Sequence, residues 1–238
     1  MHLRFEHKDV TAGGAPLGYA DLPQLMTLMT GDEKHTPSAT STLDVIWVLY
    51  DRVLRISPET AEEPDRDRFV LSKGHGPMAY YAVLAAKGFI DGASLATFGH
   101  AGSILGHHPD ARLIPGVEIG SGSLGHGLGI SAGMALGLRL RHSQARVYCL
   151  VGDAELEEGS NWEAIQYAGR LSLGELTVVV VDNGSASRGW PGGIASRFEL
   201  EGWTSTTCDG RSHEALLRGL RARGARAPHV LVAHVEPK

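Results

Sequence analysis

Apolar positions Leu43, Ile46, Trp47, Leu49, Tyr50, Val53 and Leu54 return at helical spacing, which predicts a helix starting at Ser41. Pro58 and the charged run Glu62-Glu63-Pro64-Asp65-Arg66-Asp67-Arg68 close that helix. A short apolar strand, Phe69-Val70-Leu71, then runs into Ser72-Lys73-Gly74-His75-Gly76, and a second helix over 78–87 ends at Gly88. The second half alternates more plainly. Helices are predicted over 128–140, 162–171 and 213–223, and strands over 146–151, 176–181 and 230–235. The 128–140 helix is rich in small residues (Ser131, Ala132, Gly133, Ala135, Gly137), which suits close packing on a sheet. Nearly continuous apolar strands alternating with helices predict a parallel sheet covered on both faces, in one doubly wound α/β domain. Residues 1–34 read as a loosely built arm, because Gly13, Gly14 and Pro16 break regular structure there. Within it only 22–29, after the Asp21 cap, predicts a short helix. The main domain is placed at 35–238.

Composition narrows the class. The 238 residues are 42% hydrophobic and 21% charged, ordinary for a globular chain and unlike a disordered or fibrous one. A net charge of −5 leaves nothing to neutralise a phosphate backbone, so nucleic acid is not an expected partner. No apolar run approaches ~20 residues, and the first nine residues carry charges where a signal peptide needs apolar ones. Two cysteines, Cys149 and Cys208, are too few for a disulfide scaffold or a zinc cage and fit a reducing, cytoplasmic setting. The 31 glycines suggest tight strand-to-helix loops, and the 12 histidines suggest proton chemistry or polar recognition.

Open α/β sheets bind ligands beyond the carboxyl ends of their strands. Three loops lie there: Gly74-His75-Gly76, Gly152-Asp153-Ala154 and Asp182-Asn183-Gly184. One helix and one strand separate Asp153 from Asn183, so the two side chains should stand side by side at one sheet edge. A carboxylate beside an amide oxygen is hard-oxygen ligation suited to Mg²⁺ completed by phosphate and water. Gly152 would let backbone approach a phosphate, and the following helix would add amide donors. Taken singly, Asp153 reads as a helix N-cap and Asn183 as a turn residue. Together, with Glu155, Glu157 and Glu158 behind the first, they read as a metal site.

Gly152-Asp153, Glu158-Gly159 and Asp182-Asn183 together resemble the thiamine-diphosphate signature in its transketolase form. Three further segments agree in order. Residues 65–76, ending Ser72-Lys73-Gly74-His75-Gly76, resemble the segment carrying an active-site histidine. His107-His108-Pro109, followed by Pro115-Gly116-Val117-Glu118, resembles the family's Gly-His-Pro loop. Gly122-Ser123-Leu124-Gly125 is similar to the loop that meets the cofactor's aminopyrimidine. The likeness runs from about His35 to the end of the chain. It implies a thiamine-diphosphate- and Mg²⁺-dependent transfer of a two-carbon ketol unit from a sugar or sugar phosphate. The metal ligands it implies are Asp153, Asn183 and the Ser185 carbonyl. Diphosphate contacts are implied at Gly152, Ala154 and His75, and aminopyrimidine contacts at Gly122, Ser123 and Leu124. His35, His75 and His108 would line the donor site. Glu158 and Glu163 would belong to an acidic relay near a subunit interface.

Several departures bear on that expectation. Ala154 replaces a family glycine, which would cost ~1–2 kcal/mol if its φ must be positive and almost nothing in a right-handed conformation. His126 stands where transketolases commonly have glutamine, and the unusual 183–193 segment is expected to be mobile. The chain ends a few residues after its last predicted strand, without the family's second domain and late histidine. It therefore resembles the N-terminal subunit of a split transketolase, expected to work with a separate C-terminal subunit in an α2β2 assembly. Two rivals stand beside this reading. One is a non-catalytic, transketolase-like assembly subunit. The other is a dinucleotide-binding oxidoreductase, suggested by Gly120-Ser121-Gly122-Ser123-Leu124-Gly125, although Pro115 breaks the strand that fingerprint needs.

Overall fold

The computed structural model describes residues 17–29, 36–74, 76–222 and 226–237, without side chains over 36–39. Five strands form one sheet: β1 Arg68–Leu71, β2 Val147–Gly152, β3 Leu176–Asp182, β4 Thr204–Asp209 and β5 His229–His234. Their order is β1-β2-β3-β5-β4, and every pairing is parallel. Among the described residues seven α-helices accompany them: α1 Leu22–Thr27, α2 Thr36–Val48, α3 Met78–Ala86, α4 His126–Leu140, α5 Gly159–Arg170, α6 Ile194–Leu200 and α7 His213–Arg221.

The apolar runs are continuous because both sheet faces are covered, and period-two alternation divides each run between two cores. Tyr148, Leu150, Val179, Val181, Leu231 and Ala233 join the core built with α1, α2, α3 and α7. Cys149, Val151, Val178, Val180, Val230 and Val232 point the other way, onto α4, α5 and α6. Each fully buried valine contributes roughly 1.5–3 kcal/mol of transfer free energy.

The doubly wound reading matches this architecture, with local differences. The long helix expected from Ser41 is α2, followed by a π-helical turn, Leu49–Val53, that ends when Leu54 N–H reaches Leu49 C=O at 2.8 Å. Two elements are absent from the sequence reading, α6 and β4. Strand β4 is an outermost strand with no fully buried residue and the polar sequence Thr-Ser-Thr-Thr-Cys-Asp, so it lacks the apolar run that marks an interior strand. The small residues of α4 divide between faces. Ser131, Ala132 and Ala135 are buried toward the sheet, whereas Gly129 and Gly133 are exposed with open space around them. In the stretch read as an arm, Leu22, Leu25, Met26 and Met29 are buried in the first core. The segment before Gly120 forms turns rather than a strand, so α4 is entered from a loop and the dinucleotide fingerprint lacks its strand-turn-helix setting. Among the described residues no helix is long and apolar enough to cross a membrane.

Candidate functional site

Strands β2 and β3 pair through Gly152 opposite Val181, and Asp153 N–H still reaches Val181 C=O at 3.1 Å. Asp153 and Asn183 thus leave adjacent strands at the same edge, as their spacing implied. Both are buried, at 1% and 3% exposure. The chain after β3 folds over Asp153: Ser185 Oγ donates to Oδ1 at 2.6 Å and Ala186 N–H to Oδ2 at 2.9 Å. Trp190 Nε1 donates to the Asp153 carbonyl at 3.3 Å. Asn183 Oδ1 is buried with no partner among the described residues. An acceptor left so costs about 1–3 kcal/mol unless something else engages it. Asp153 retains about two of a carboxylate's four acceptor positions. This donor set fits Mg²⁺, which needs few protein oxygens and takes the rest from phosphate and water. Among the described residues no three His, Cys, Asp or Glu converge.

The glycine-rich loops meet at this edge because their glycines permit contact that a β-carbon would block. A Cβ on Gly74 would stand 3.0 Å from Gly122 Cα, and one on Gly122 would stand 2.9 Å from the His108 ring. A Cβ on Gly125 would collide with Ser160 Oγ and come 2.8 Å from Glu158 Cβ. Ser160 Oγ also donates to the Gly125 carbonyl at 2.9 Å. The loop carrying His108 and Pro109 continues to Glu118, whose carboxylate pairs with buried Arg66 and, at 3.3 Å, with Arg68. That pair ties the loop to the start of β1. Gly122 also has φ +111°, a conformation L side chains rarely adopt. Gly122→Ala should therefore push His108 aside and destabilise by at least ~1–2 kcal/mol. A melting curve within about 1 °C of wild type would contradict this packing, since ~1 kcal/mol shifts the Tm of a domain this size by roughly 2–4 °C.

Glu155 is a second buried carboxylate at the site, beside Asp153. Burial pushes its carboxyl up from the ordinary range, opposed by hydrogen bonds from Ser72 Oγ and the Gly125 and Gly152 amides and by the charge of Lys73. Glu157, at the surface, is held below the ordinary range by the Ser187 hydroxyl and the Arg188 amide. Ser187 Oγ donates to both of its oxygens, at 2.8 and 2.9 Å. The 183–193 segment, expected to be mobile, is thus tied to Asp153 and Glu157. Trp190 adds a ring contact to Trp162 at 5.5 Å, and the Arg197 guanidinium lies over both rings.

His35 and His75 lie outside the described residues, although Gly74 and Gly76 on either side of His75 are placed. His108 and Ser123 are exposed, Leu124 is half-buried, and all three share the loop cluster. Ala154 is right-handed (φ −67°, ψ −34°), so its β-carbon carries no strain penalty. The Gly152 amide differs from expectation: it donates to Glu155 Oε2 at 3.3 Å. A Cβ on Gly152 would stand 3.5 Å from the Lys73 side chain. Glu158 and Glu163 are exposed on the outer side of α5, Glu158 beside Gly125 and Glu163 farther along the helix, outside the strand-end cluster. In the sequence Glu155 stands only within an acidic run, because its partners Ser72, Gly125 and Gly152 lie in separate segments.

A cavity of about 400 Å³ opens beside Asp153, lined also by Gly184, Ala186, Trp190, Val232 and His234. A larger depression of about 610 Å³ lies between α2 and α7. Its polar groups answer one another: Asp44 accepts from Tyr19 Oη at 2.6 Å and Arg211 Nη1 at 2.9 Å, and pairs with His213 Nε2 at 2.9 Å. The strand-end site has the unpartnered oxygen and is the better candidate.

Residues 25–229 match the family described as transketolase, thiamine diphosphate binding domain. The chain is 50% identical over 234 residues to a protein named Ferredoxin fas2 of Rhodococcoides fascians, spanning 98% of this chain and 77% of that one. It is 35% identical over 208 residues to a protein of Phocaeicola vulgatus named as one subunit of apulose-4-phosphate transketolase, spanning 84% of this chain and 74% of that one. With the 6-deoxy-6-sulfo-D-fructose transketolase subunit SqwG of a Clostridium species it shares 34% identity over 200 residues, spanning 80% and 73%. Among solved structures, transketolase from Campylobacter jejuni superposes with a TM-score of 0.75 at 24% identity, covering 92% of this chain and 38% of that one. This supports the fold. The word ferredoxin has no counterpart in these residues, since an iron–sulfur cluster takes four protein ligands, usually thiolates. Only Cys149 and Cys208 are present, on strands three spacings (roughly 14 Å) apart.

Proposed function

We propose, from the premise that this chain belongs to the transketolase family as its thiamine-diphosphate-binding domain, that it is the diphosphate-binding subunit of a two-component transketolase. The reaction is transfer of a two-carbon ketol unit from a ketose donor to an aldehyde-type acceptor. The carrying observation is the buried pair Asp153 and Asn183, with an acceptor oxygen that no donor among the described residues satisfies. When bound, thiamine diphosphate supplies the electron sink for breaking a carbon–carbon bond, and Mg²⁺ supplies the charge that neutralises its diphosphate.

The chain's residues then divide the work of holding and proton transfer. Asp153, Asn183 and the Ser185 carbonyl hold the metal, and the hydrogen bond from Ser185 Oγ to Asp153 supports their grouping. Gly152, Ala154 and His75 border the diphosphate. Gly122, Ser123 and Leu124 border the aminopyrimidine. His35, His75 and His108 bind donor hydroxyls and move protons at those oxygens. Glu158 and Glu163, on the open side of α5, form the acidic relay at a subunit interface. The right-handed Ala154 removes the strain that would have favoured a non-catalytic role.

The partner is a separate C-terminal transketolase subunit, in an α2β2 assembly of the cytoplasm. Relatives named as single subunits of transketolases support a partner, and the exposed α4 face with Gly129, Ile130 and Gly133 supports close contact between chains. The test is ketol transfer on mixing this chain with a candidate partner, thiamine diphosphate and Mg²⁺. In the assembled enzyme His75→Ala should lower kcat/KM at least ~10²-fold, the scale of a positioned acid or base. Wild-type kinetics would remove His75 from the site.

A further inference from the structure

Glu155 touches none of the residues assigned to metal, yet its carboxylate joins three cofactor loops. The residue is 3% exposed. Oε1 accepts from Ser72 Oγ at 2.5 Å, at the end of β1, and from Gly125 N–H at 3.1 Å, at the start of α4. Oε2 accepts from Gly152 N–H at 3.3 Å, at the end of β2. The partners stand 83, 30 and 3 residues away in sequence, so local chain geometry alone would not collect them. Neutral side chains would not serve equally. A carboxylate is acceptor-only with about four lone-pair positions, whereas an amide of the same shape turns two donors toward a site already supplied with donors.

Resting on the function proposed above, we propose that Glu155 is a positioning residue: its carboxylate holds the Ser72, Gly125 and Gly152 segments in the mutual register that a bound diphosphate and aminopyrimidine require. Ser72 leads directly into Lys73-Gly74-His75, Gly125 closes the Gly122-Ser123-Leu124 loop, and Gly152 precedes Asp153. Loss of the carboxylate frees three segments at once while the hydrophobic cores stay intact. A residue needed only for stability would act differently. Its replacement would lower the melting temperature without changing local opening or cofactor affinity below that temperature.

The experiment compares wild type, Glu155→Gln and Ser72→Ala by amide hydrogen exchange on the cofactor-free chain and by calorimetric titration with thiamine diphosphate and Mg²⁺. In Glu155→Gln the Gly125 and Gly152 amides should exchange at least about tenfold faster, with Val179 and Val180 unchanged. Cofactor affinity should fall roughly ten- to hundredfold, the scale seen when outer partners of a metal site are removed. Ser72→Ala removes one donor and little volume, so it should show a smaller change of the same kind and keeps the test available if Glu155→Gln does not fold. Unchanged exchange at Gly125 and Gly152, or loosened amides with undiminished cofactor affinity, would overturn the inference. Wild-type protein that binds no cofactor even with the candidate partner subunit present would instead overturn the function it rests on, and exchange would still decide whether Glu155 clamps the loops.

Discussion

Asp153→Ala is expected to abolish Mg²⁺-dependent binding of thiamine diphosphate while leaving the sheet folded. The side chain supplies one of two buried hard-oxygen groups at the edge, and no other carboxylate is assigned to replace it. Its removal also strands the Ser185 hydroxyl and the Ala186 amide, which hold the 183–193 segment over the site. Losing an outer partner of a metal typically costs about 10–100-fold in affinity, so losing a direct ligand should exceed ~10²-fold. The fold should survive because the Asp153 amide still reaches the Val181 carbonyl and the valines of β2 and β3 remain in both cores. Calorimetric titration with and without Mg²⁺, beside a circular dichroism melt, makes the comparison. Undiminished affinity would remove Asp153 from the metal site.

The isolated chain is expected to show no ketol transfer, and turnover should appear when a matching C-terminal subunit is added. By resemblance, the carboxylate that activates the aminopyrimidine comes from the family's second domain, and none is assigned to it among the residues of this chain. Asp153 and Asn183 are buried, but His108, Ser123 and Glu158 along the rest of the proposed cofactor path are exposed. A cofactor gripped only at its diphosphate would leave its rings in water, which weakens binding. Contact with a partner would cover them. Assays of the chain, the partner and the mixture, with light scattering on each, should show activity only in the mixture and a mass for two chains of each kind. Robust turnover by this chain alone would refute the two-component reading.

The sequence by itself determined the interior of the fold and the juxtaposition of Asp153 and Asn183 at one sheet edge. Strands β2, β3 and β5 were legible because interior parallel strands must be apolar on both faces, which leaves runs such as Val178-Val179-Val180-Val181. Asp153 and Asn183 were legible because one helix and one strand between them put both at the same edge. Strand β4 was not: at the sheet edge one side of the ladder is free, so its residues need not be apolar. Tertiary structure alone decided the rest. The conformation of Ala154 is set by the turn that follows β2. The Gly152 amide is taken by Glu155, which no spacing rule reveals. His108 meets Gly122, and Gly74 meets the same loop, because glycines let segments distant in sequence approach closely. Hydrophobic period is a local property that neighbours in the chain carry. The donors gathered by a buried carboxylate are chosen by packing, and only the folded chain brings Ser72, Gly125 and Gly152 to one side chain.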